Sequence, residues 1–315
     1  MSTLKISVVT PVYNEEQVIE HFHVRARGVL DSLENVEATI LFVVDRCTDN
    51  TLDVLRRLVA GDPNSKVIAL SSRFGHQMSL LAGIESSLDA DIIIMMDSDL
   101  QHPPELIPSL LEAFKEGFDV VYTIRQDTEE VGLIRKCVGN LFYLMLGKIS
   151  QVPINANAAD FRLISKRVAR ILSSDFHESN MFLRGLFSWI GFKQTGIEYV
   201  AEKRFAGQSK YSFSRMVQLA MAGILSFSTK PLQVGIFVGL GFAFFAFILI
   251  VFAIIKYFID QTIPSGWTTL VVLLLLFSGI QLVVLGIMGA YIGGIYEEVK
   301  GRPRYIIEEE IFHHE

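Results

Sequence analysis

Short apolar runs alternate with amphipathic stretches through the first two thirds of the chain. Residues 5–10, 38–44, 66–70, 91–96 and 118–124 are runs of strand length rich in β-branched residues. Such runs suit strands buried on both faces of a parallel sheet. Between them, apolar residues recur at helical spacing. Val18, Ile19, Phe22, Val29 and Leu33 follow the first run, and Leu52, Leu55 and Leu58 follow the second. Residues 75–88 and 105–114 read as two more helices, the latter ending near Gly117. Pro11 stops the first strand. Asn14 is placed to cap the next helix, with Glu15 and Glu16 in its positive first turn, and Thr48 or Asp49 to cap the one after. Strands and helices alternating at this pace predict an α/β fold, a mostly parallel sheet with right-handed crossovers.

The pattern changes after about Ser226. Residues 234–257, with Lys256 as their one charge, and residues 267–291 are each long enough to span a bilayer. Gly286, Gly289, Gly293 and Gly294 give the second run small-residue surfaces for close helix contact. The connection at 258–266 contains no Lys or Arg, whereas Lys230 precedes the first run and Lys300, Arg302 and Arg304 follow the second. The positive-inside rule then puts both ends in the cytoplasm and the short loop outside. Residues 131–147 carry an apolar face (Leu133, Ile134, Val138, Leu141, Phe142, Met145) that suits either packing on the sheet or a membrane surface. The amphipathic stretch 209–230 leads straight into a span and reads as interfacial. Residues 308–315 are acidic, with His313 and His314, and read as a solvated tail. The expected organisation is a soluble domain over 1–208, a juxtamembrane segment over 209–230, two spans within 231–295 and a cytoplasmic tail over 296–315.

Half of the 315 residues are hydrophobic, and the mean hydropathy of +0.39 is concentrated in the C-terminal part. A net charge of −6 gives no reason to expect nucleic acid as the main partner. Cys47 and Cys137 lie far apart with no metal-ligand spacing, which fits a reduced, cytosol-facing domain. Residues 1–5 run straight into a strand without a secretory signal pattern.

The chemistry concentrates where the run 92–96 ends in Asp97-Ser98-Asp99-Leu100-Gln101-His102-Pro103-Pro104-Glu105. Two carboxylates one residue apart, at the carboxyl end of a buried strand, occupy the place where open α/β sheets bind ligands. Asp97 and Asp99, with Gln101 as a third oxygen ligand, suit Mg²⁺ or Mn²⁺ carrying substrate phosphates. Pro103 and Pro104 stop the strand, and Pro104 fits the first turn of a helix.

Several segments together resemble the family 2 inverting glycosyltransferases. Thr10-Pro11-Val12-Tyr13-Asn14-Glu15-Glu16 resembles their opening motif, and residues 44–51 their second-strand motif. Residues 73–83, with Phe74-Gly75-His76-Gln77 and Ala82-Gly83, look like the next. Residues 97–105 match D-x-D-L-Q-x-P-P-E. Residues 157–165, with Asp160-Phe161-Arg162-Leu163, and residues 204–210 complete the set. Within the family the chain is similar to the polyprenyl-phosphate glycosyltransferases, the group of bactoprenol glucosyltransferases and dolichol-phosphate mannose synthase, over nearly its whole length.

The resemblance implies a GT-A fold, a nucleotide-sugar donor of the UDP-glucose type, a divalent metal, a polyprenyl (undecaprenyl) phosphate acceptor and a bacterial plasma-membrane location. A homo-oligomer is expected. The implied nucleotide-sugar residues are Pro11, Tyr13, Glu15, Asp45, Asp97 and Arg125. Asp160, Asp99 and Arg162 are the implied catalytic residues, with Asp97, Asp99 and Gln101 on the metal. Arg204 and Lys210 are the implied acceptor-phosphate ligands. The chain departs from the family at Asp45-Arg46-Cys47, where Asp-Gly-Ser is common, and at Ser72-Arg73-Phe74-Gly75, where Arg-Asn-Phe-Gly is usual. Arg in place of Gly gives up easy access to positive φ, so the first loop is expected to differ. A processive polysaccharide synthase and an inactive membrane-anchored scaffold are the rival readings. The first typically has a Q-x-x-R-W motif and more spans, and the second is disfavoured by the intact acidic residues.

Overall fold

A computed structural model of the chain describes residues 3–126, 158–178, 181–200, 230–260 and 266–313. The expected segment 131–147 and all of the expected segment 209–230 but Lys230, together with Arg204, lie outside the described residues.

The elements run β1 (Leu4–Val12), α1 (Ile19–Asp31), β2 (Val36–Val44), α2 (Thr51–Gly61), β3 (Ser65–Leu70), α3 (His76–Glu85) and β4 (Ile92–Met95). A 3-10 turn at Pro104–Leu106 leads into α4 (Ile107–Lys115) and β5 (Val120–Gln126). Then come β6 (Ala158–Ser165), α5 (Lys166–Ser174), α6 (Leu183–Ile190), β7 (Gln194–Val200), α7 (Lys230–Asp260), α8 (Trp267–Val299) and β8 (Ile307–Ile311). The eight strands form one sheet in the order β7-β5-β6-β4-β1-β2-β3-β8. β1 pairs parallel with β2 and β4, β2 with β3, and β5 with β7. β6 is antiparallel to both β4 and β5, and β8 is antiparallel to β3. The expected mostly parallel sheet is present; β6, β7 and β8 have no counterpart among the expected strands.

This order fixes where the chemistry can sit. β1, β2, β3, β4 and β5 all end at the same edge of the sheet, and antiparallel β6 begins there. Tyr13, Asp45, residues 71–76, Asp97, Arg125 and Asp160 are therefore gathered at one edge by topology alone. The core lies on both faces of the sheet. Phe22, Phe42, Ile94 and Phe161 are fully buried on one side, and Val9, Leu81, Ile93 and Leu172 on the other.

Two helix starts differ from expectation. α1 begins at Ile19, after a turn in which the Glu15 carbonyl accepts the N–H groups of Val18 and Ile19. Asn14 does not cap it. Asn14 adopts φ +54°, a conformation asparagine tolerates, and exchanges two 2.9 Å hydrogen bonds with Thr48 of the neighbouring loop. α2 is capped at Asn50 rather than at Thr48 or Asp49, with Asp49 one residue earlier accepting both the N–H and the hydroxyl of Thr51. Arg46 is not among the positive-φ residues, so the loop turns without the conformation that glycine would offer there.

α3 lies so close to β1 that a Cβ at Gly83 would stand 2.2 Å from Cγ1 of Val9 and 3.1 Å from Cγ2 of Val43. Both valines are β-branched, fully buried and stiff at χ1. Gly83→Ala is therefore expected to destabilise the domain by ~1–3 kcal/mol through overpacking. Thermal unfolding of the variant checks this, and an unchanged melting temperature would show that α3 can move away.

The C-terminal residues are not a solvated tail. Ile307–Ile311 close one edge of the sheet as β8, with the Ile306 carbonyl accepting the N–H of Ser71. The side chains explain the error in the reading of charge. Glu308, Glu309 and Glu310 remain exposed while backbone groups and the flanking isoleucines make the attachment. Arg304 pairs with Glu85 at 2.6 Å, Tyr305 bonds the same carboxylate, and Glu309 pairs with Arg56. Burial, with the Glu85 carboxylate beside it, pushes the Tyr305 hydroxyl beyond its ordinary range.

α7 and α8, of 31 and 33 residues, cover the two apolar runs and are long and apolar enough to cross a membrane. Phe237 and Leu282 are about 70% exposed, whereas a helix in a soluble core would hide such side chains.

Candidate active site

The apolar strand β4 ends at Met95, and Met96 still pairs with β1 through its N–H to the Val9 carbonyl. Asp97 is the first residue beyond. Its N–H donates to Nδ1 of buried His102 at 3.0 Å, folding the signature back beneath itself. His102 stacks on Phe161 of β6, so the turn is anchored to a core strand. Leu100 takes φ +61° with its side chain buried, an unfavourable backbone for leucine that the packing holds in place. Asp99 Oδ1 accepts the N–H of Gln101 at 3.1 Å. Glu105, at the end of the signature, ties the turn to α1 through a two-pronged pair with Arg25, both bonds 2.8 Å.

Around this turn lie two carboxylates with cationic partners. Asp97 Oδ1 meets His76 Nε2 at 2.8 Å. Burial would raise the Asp97 carboxyl, but His102 and His76 beside it hold it below the usual aspartate range. Burial would lower His76; the charge and hydrogen bond of Asp97, then the charge of Asp160, outweigh it and lift the imidazole to about 9. Asp160, on β6, is gripped by both arms of the Arg184 guanidinium at 2.7 and 2.8 Å. Burial opposes its ionisation too, yet Arg184, then His76 and Arg162, keep it well below the ordinary range. Asp160, His76 and Asp97 thus form one electrostatic unit, fed from β6, α3 and β4.

Arg162 sits beneath that unit. It is 3% exposed, donates to the Ala159 carbonyl at 2.9 Å and stacks over the Phe187 ring at 4.5 Å. Burial lowers its guanidinium to about 10, still charged at neutral pH. The more accessible cation beside Asp160 is Arg184, 35% exposed. Arg184 is held in place because Leu183, Leu186 and Phe187 of α6 are buried and the Leu183 N–H donates to Gln77.

The remaining expected residues lie along the same edge. Asp45 is buried, and its two oxygens accept the N–H groups of Phe74 and Gly75 at 2.8 and 2.9 Å. Its carboxylate therefore faces backbone, joining the loop after β2 to the loop after β3. Gly75 needs φ +91° to present that N–H, a conformation that favours glycine. Arg73 lies over the Tyr13 ring at 4.2 Å, and Arg46 donates to the Ser71 carbonyl, so both departures from the family pattern serve this junction. Pro11 is buried at the end of β1, and the Glu15 N–H donates to Thr51. Arg125 reaches the Gln101 amide oxygen only at 3.5 Å. Sequence reasoning gave His76 no role although it quoted the motif holding it. It missed Arg184 altogether, whose one signal is being the single charge in the apolar stretch 181–190.

Residues 7–172 match the glycosyl transferase family 2 profile. An uncharacterised glycosyltransferase of Bacillus subtilis, YkcC, is 41% identical over 310 residues, covering 97% of this chain and 94% of its own. The SfII prophage-derived bactoprenol glucosyl transferase of Shigella flexneri is 37% identical over 306 residues, covering 97% and 98%. The prophage bactoprenol glucosyl transferase homolog of Escherichia coli K12 is 37% identical over 305 residues, covering 97% and 99%. A domain with its acidic turn at the strand-end edge, matched in this way over nearly all its length, belongs to glycosyl transferase family 2 and is a glycosyltransferase.

Proposed function

We propose that this chain transfers a hexose, with inversion, from a nucleotide sugar of the UDP-glucose type to a polyprenyl phosphate held in the bilayer. The observation that carries the reading is the convergence of Asp97 and Asp160 on His76, with Arg184 alongside, at the edge of the sheet. The names of the bactoprenol relatives support the acceptor class. In the reaction an acceptor phosphate oxygen bonds to the anomeric carbon. The bond from that carbon to the diphosphate breaks, and its electron pair leaves with the nucleoside diphosphate. A phosphate monoester has a second pKa near about 6, so at neutral pH it is already a nucleophile. What it needs is a cationic approach, because both substrates carry phosphate. Arg184, Arg162 and His76 supply that charge from the described residues, and we assign Arg204 and Lys210 to the same task.

The donor set fits a divalent cation. Among the described residues no cluster of three or more acidic, histidine or cysteine side chains could enclose a metal. Asp97 and Asp99 offer hard oxygens from one turn, with Gln101 next to them. That is the kind of partial shell which Mg²⁺ or Mn²⁺ completes with water and substrate phosphates. Bound there, the cation would neutralise charge on the departing diphosphate.

In this reading α7 and α8 cross a bacterial plasma membrane as a pair. The catalytic domain and both termini are cytoplasmic, and a second copy of the chain packs on the glycine face of α8. Full-length protein in vesicles containing undecaprenyl phosphate, given labelled UDP-glucose and Mg²⁺, should yield label extractable into organic solvent, and chelator should abolish it. No lipid-linked label from UDP-glucose, UDP-N-acetylglucosamine or GDP-mannose, with the protein folded, would reject the proposal.

A further inference from the structure

α6 turns Leu183, Leu186 and Phe187 into the core, which leaves Trp189 outward and 62% exposed. The indole is braced edge-on against Phe176, centroids 5.6 Å apart. The Phe176 carbonyl accepts Nη1 of Arg304 at 2.6 Å, and Arg304 lies just past the end of α8. Two residues after Phe176, Glu178 is raised by burial and by the charge of Glu298, which sits in the last turn of α8. The surface carrying Trp189 is thus tied through Arg304 to the segment that leaves the second apolar helix, and it lies near enough to the end of that helix for Glu178 to feel the charge of Glu298. At that end the apolar run gives way to Glu297, Glu298 and Lys300. This is where hydrocarbon must give way to headgroups if α8 crosses a bilayer. Tryptophan favours that layer, its body in apolar surroundings and its N–H in wet ones.

We propose that Trp189, backed by Phe176, is a contact of the catalytic domain with the headgroup layer of the bilayer. The proposal rests on the membrane reading given above. It assigns α6 two duties. The helix that brings Arg184 to Asp160 also rests on the lipid surface five residues later, so it sets the height of the site above the membrane. An acceptor whose phosphate sits at headgroup level must be met at that height.

The chain has two tryptophans, Trp189 and Trp267, which makes the test direct. Full-length W267F, reconstituted into vesicles, reports Trp189 alone; W189F reports Trp267 at the start of α8. Lipids brominated near the headgroup should quench Trp189 strongly, and lipids brominated near the chain ends should quench it less. Its emission should also shift to the blue on reconstitution. If Trp267 is quenched by bromolipid while Trp189 is untouched and open to aqueous acrylamide, the contact is wrong and the membrane reading stands. If neither is quenched, both fail. A second readout guards against a merely structural role. W189S should lose more activity toward vesicle-borne polyprenyl phosphate than toward a short, water-soluble prenyl phosphate, and equal losses would overturn the contact.

Discussion

Asp99→Ala is expected to lose transfer by at least ~10²–10³-fold in turnover while the protein stays folded, because a pre-placed electrostatic group at the leaving charge is worth that much. The hydrogen bond of Asp99 to the Gln101 N–H is local and worth ~1 kcal/mol, a small part of domain stability. Asp97→Asn makes a sharper companion. The bond to His102 comes from the Asp97 backbone, so it persists in the variant and the turn keeps its shape. What is lost is the charge facing His76. Initial rates with thermal unfolding on the same preparations decide the matter. Full activity of Asp99→Ala would remove the metal from this turn, and a collapse of its melting temperature would mean that a folding defect had been read as a catalytic one.

Asp160→Asn should keep nucleotide binding and lose transfer, with a defect that does not recover as pH rises from about 6 to 8. Both of its oxygens are held by Arg184, and the carboxyl is kept well below its ordinary range. A group so placed is a poor base near neutrality. On the proposed reading it orients Arg184 and the sugar instead. A base acting on the phosphate monoanion predicts the opposite, that the variant recovers as pH rises past the second phosphate pKa near ~6 and the dianion forms unaided. The sign for stability follows from the depressed folded value. The contribution of Asp160 is fully present above its unfolded pKa of roughly 3.9 and is lost only as pH falls through the lower folded value. The destabilisation of Asp160→Asn should therefore hold through the neutral range, shrink in strong acid, and decline as His76, lifted to about 9 in part by Asp160, loses its charge. Breaking a buried pair costs ~3–5 kcal/mol, and the low end applies because a third of Arg184 faces water. Arg184→Gln should reproduce the loss of turnover. A change in nucleotide affinity with turnover unaltered would instead move Asp160 into the donor pocket.

The parallel half of the sheet is legible in the sequence because each of its strands is an apolar run with a helix after it. β6 is not, since Asp160 and Arg162 interrupt its apolar pattern and are stabilised by Arg184 and Phe187 of α6, more than twenty residues on. β7 and β8 are edge strands whose side chains are half exposed, so their sequences read as loop and tail. In the site, Asp97 and Asp99 stand out because a hydrophobic run ends on them. Asp45 is visible as a strand-end acid, but its partners are two amides of a later loop, a relation that residue types do not encode. Arg184 belongs to no motif quoted, and only the packing of α6 brings it to Asp160.

The attachment of β8 to β3 has a consequence for biogenesis. Arg56 and Glu309 meet across 253 residues of sequence. Everything between them, both apolar helices included, must be synthesised before the edge of β3 can be covered. Until then β3 presents an open strand edge beside the loop that carries Arg73 and Phe74. Residues that follow both apolar helices thus complete the sheet, and if those helices cross a bilayer as proposed, they can do so only once the chain has come back to the side from which it left. On that reading, a chain that inserted one apolar helix and not the other would strand β8 across the bilayer from β3. Closure of the sheet would then be a built-in check on paired insertion, and a protein with an odd number of crossings should be marked for proteolysis at an exposed β3.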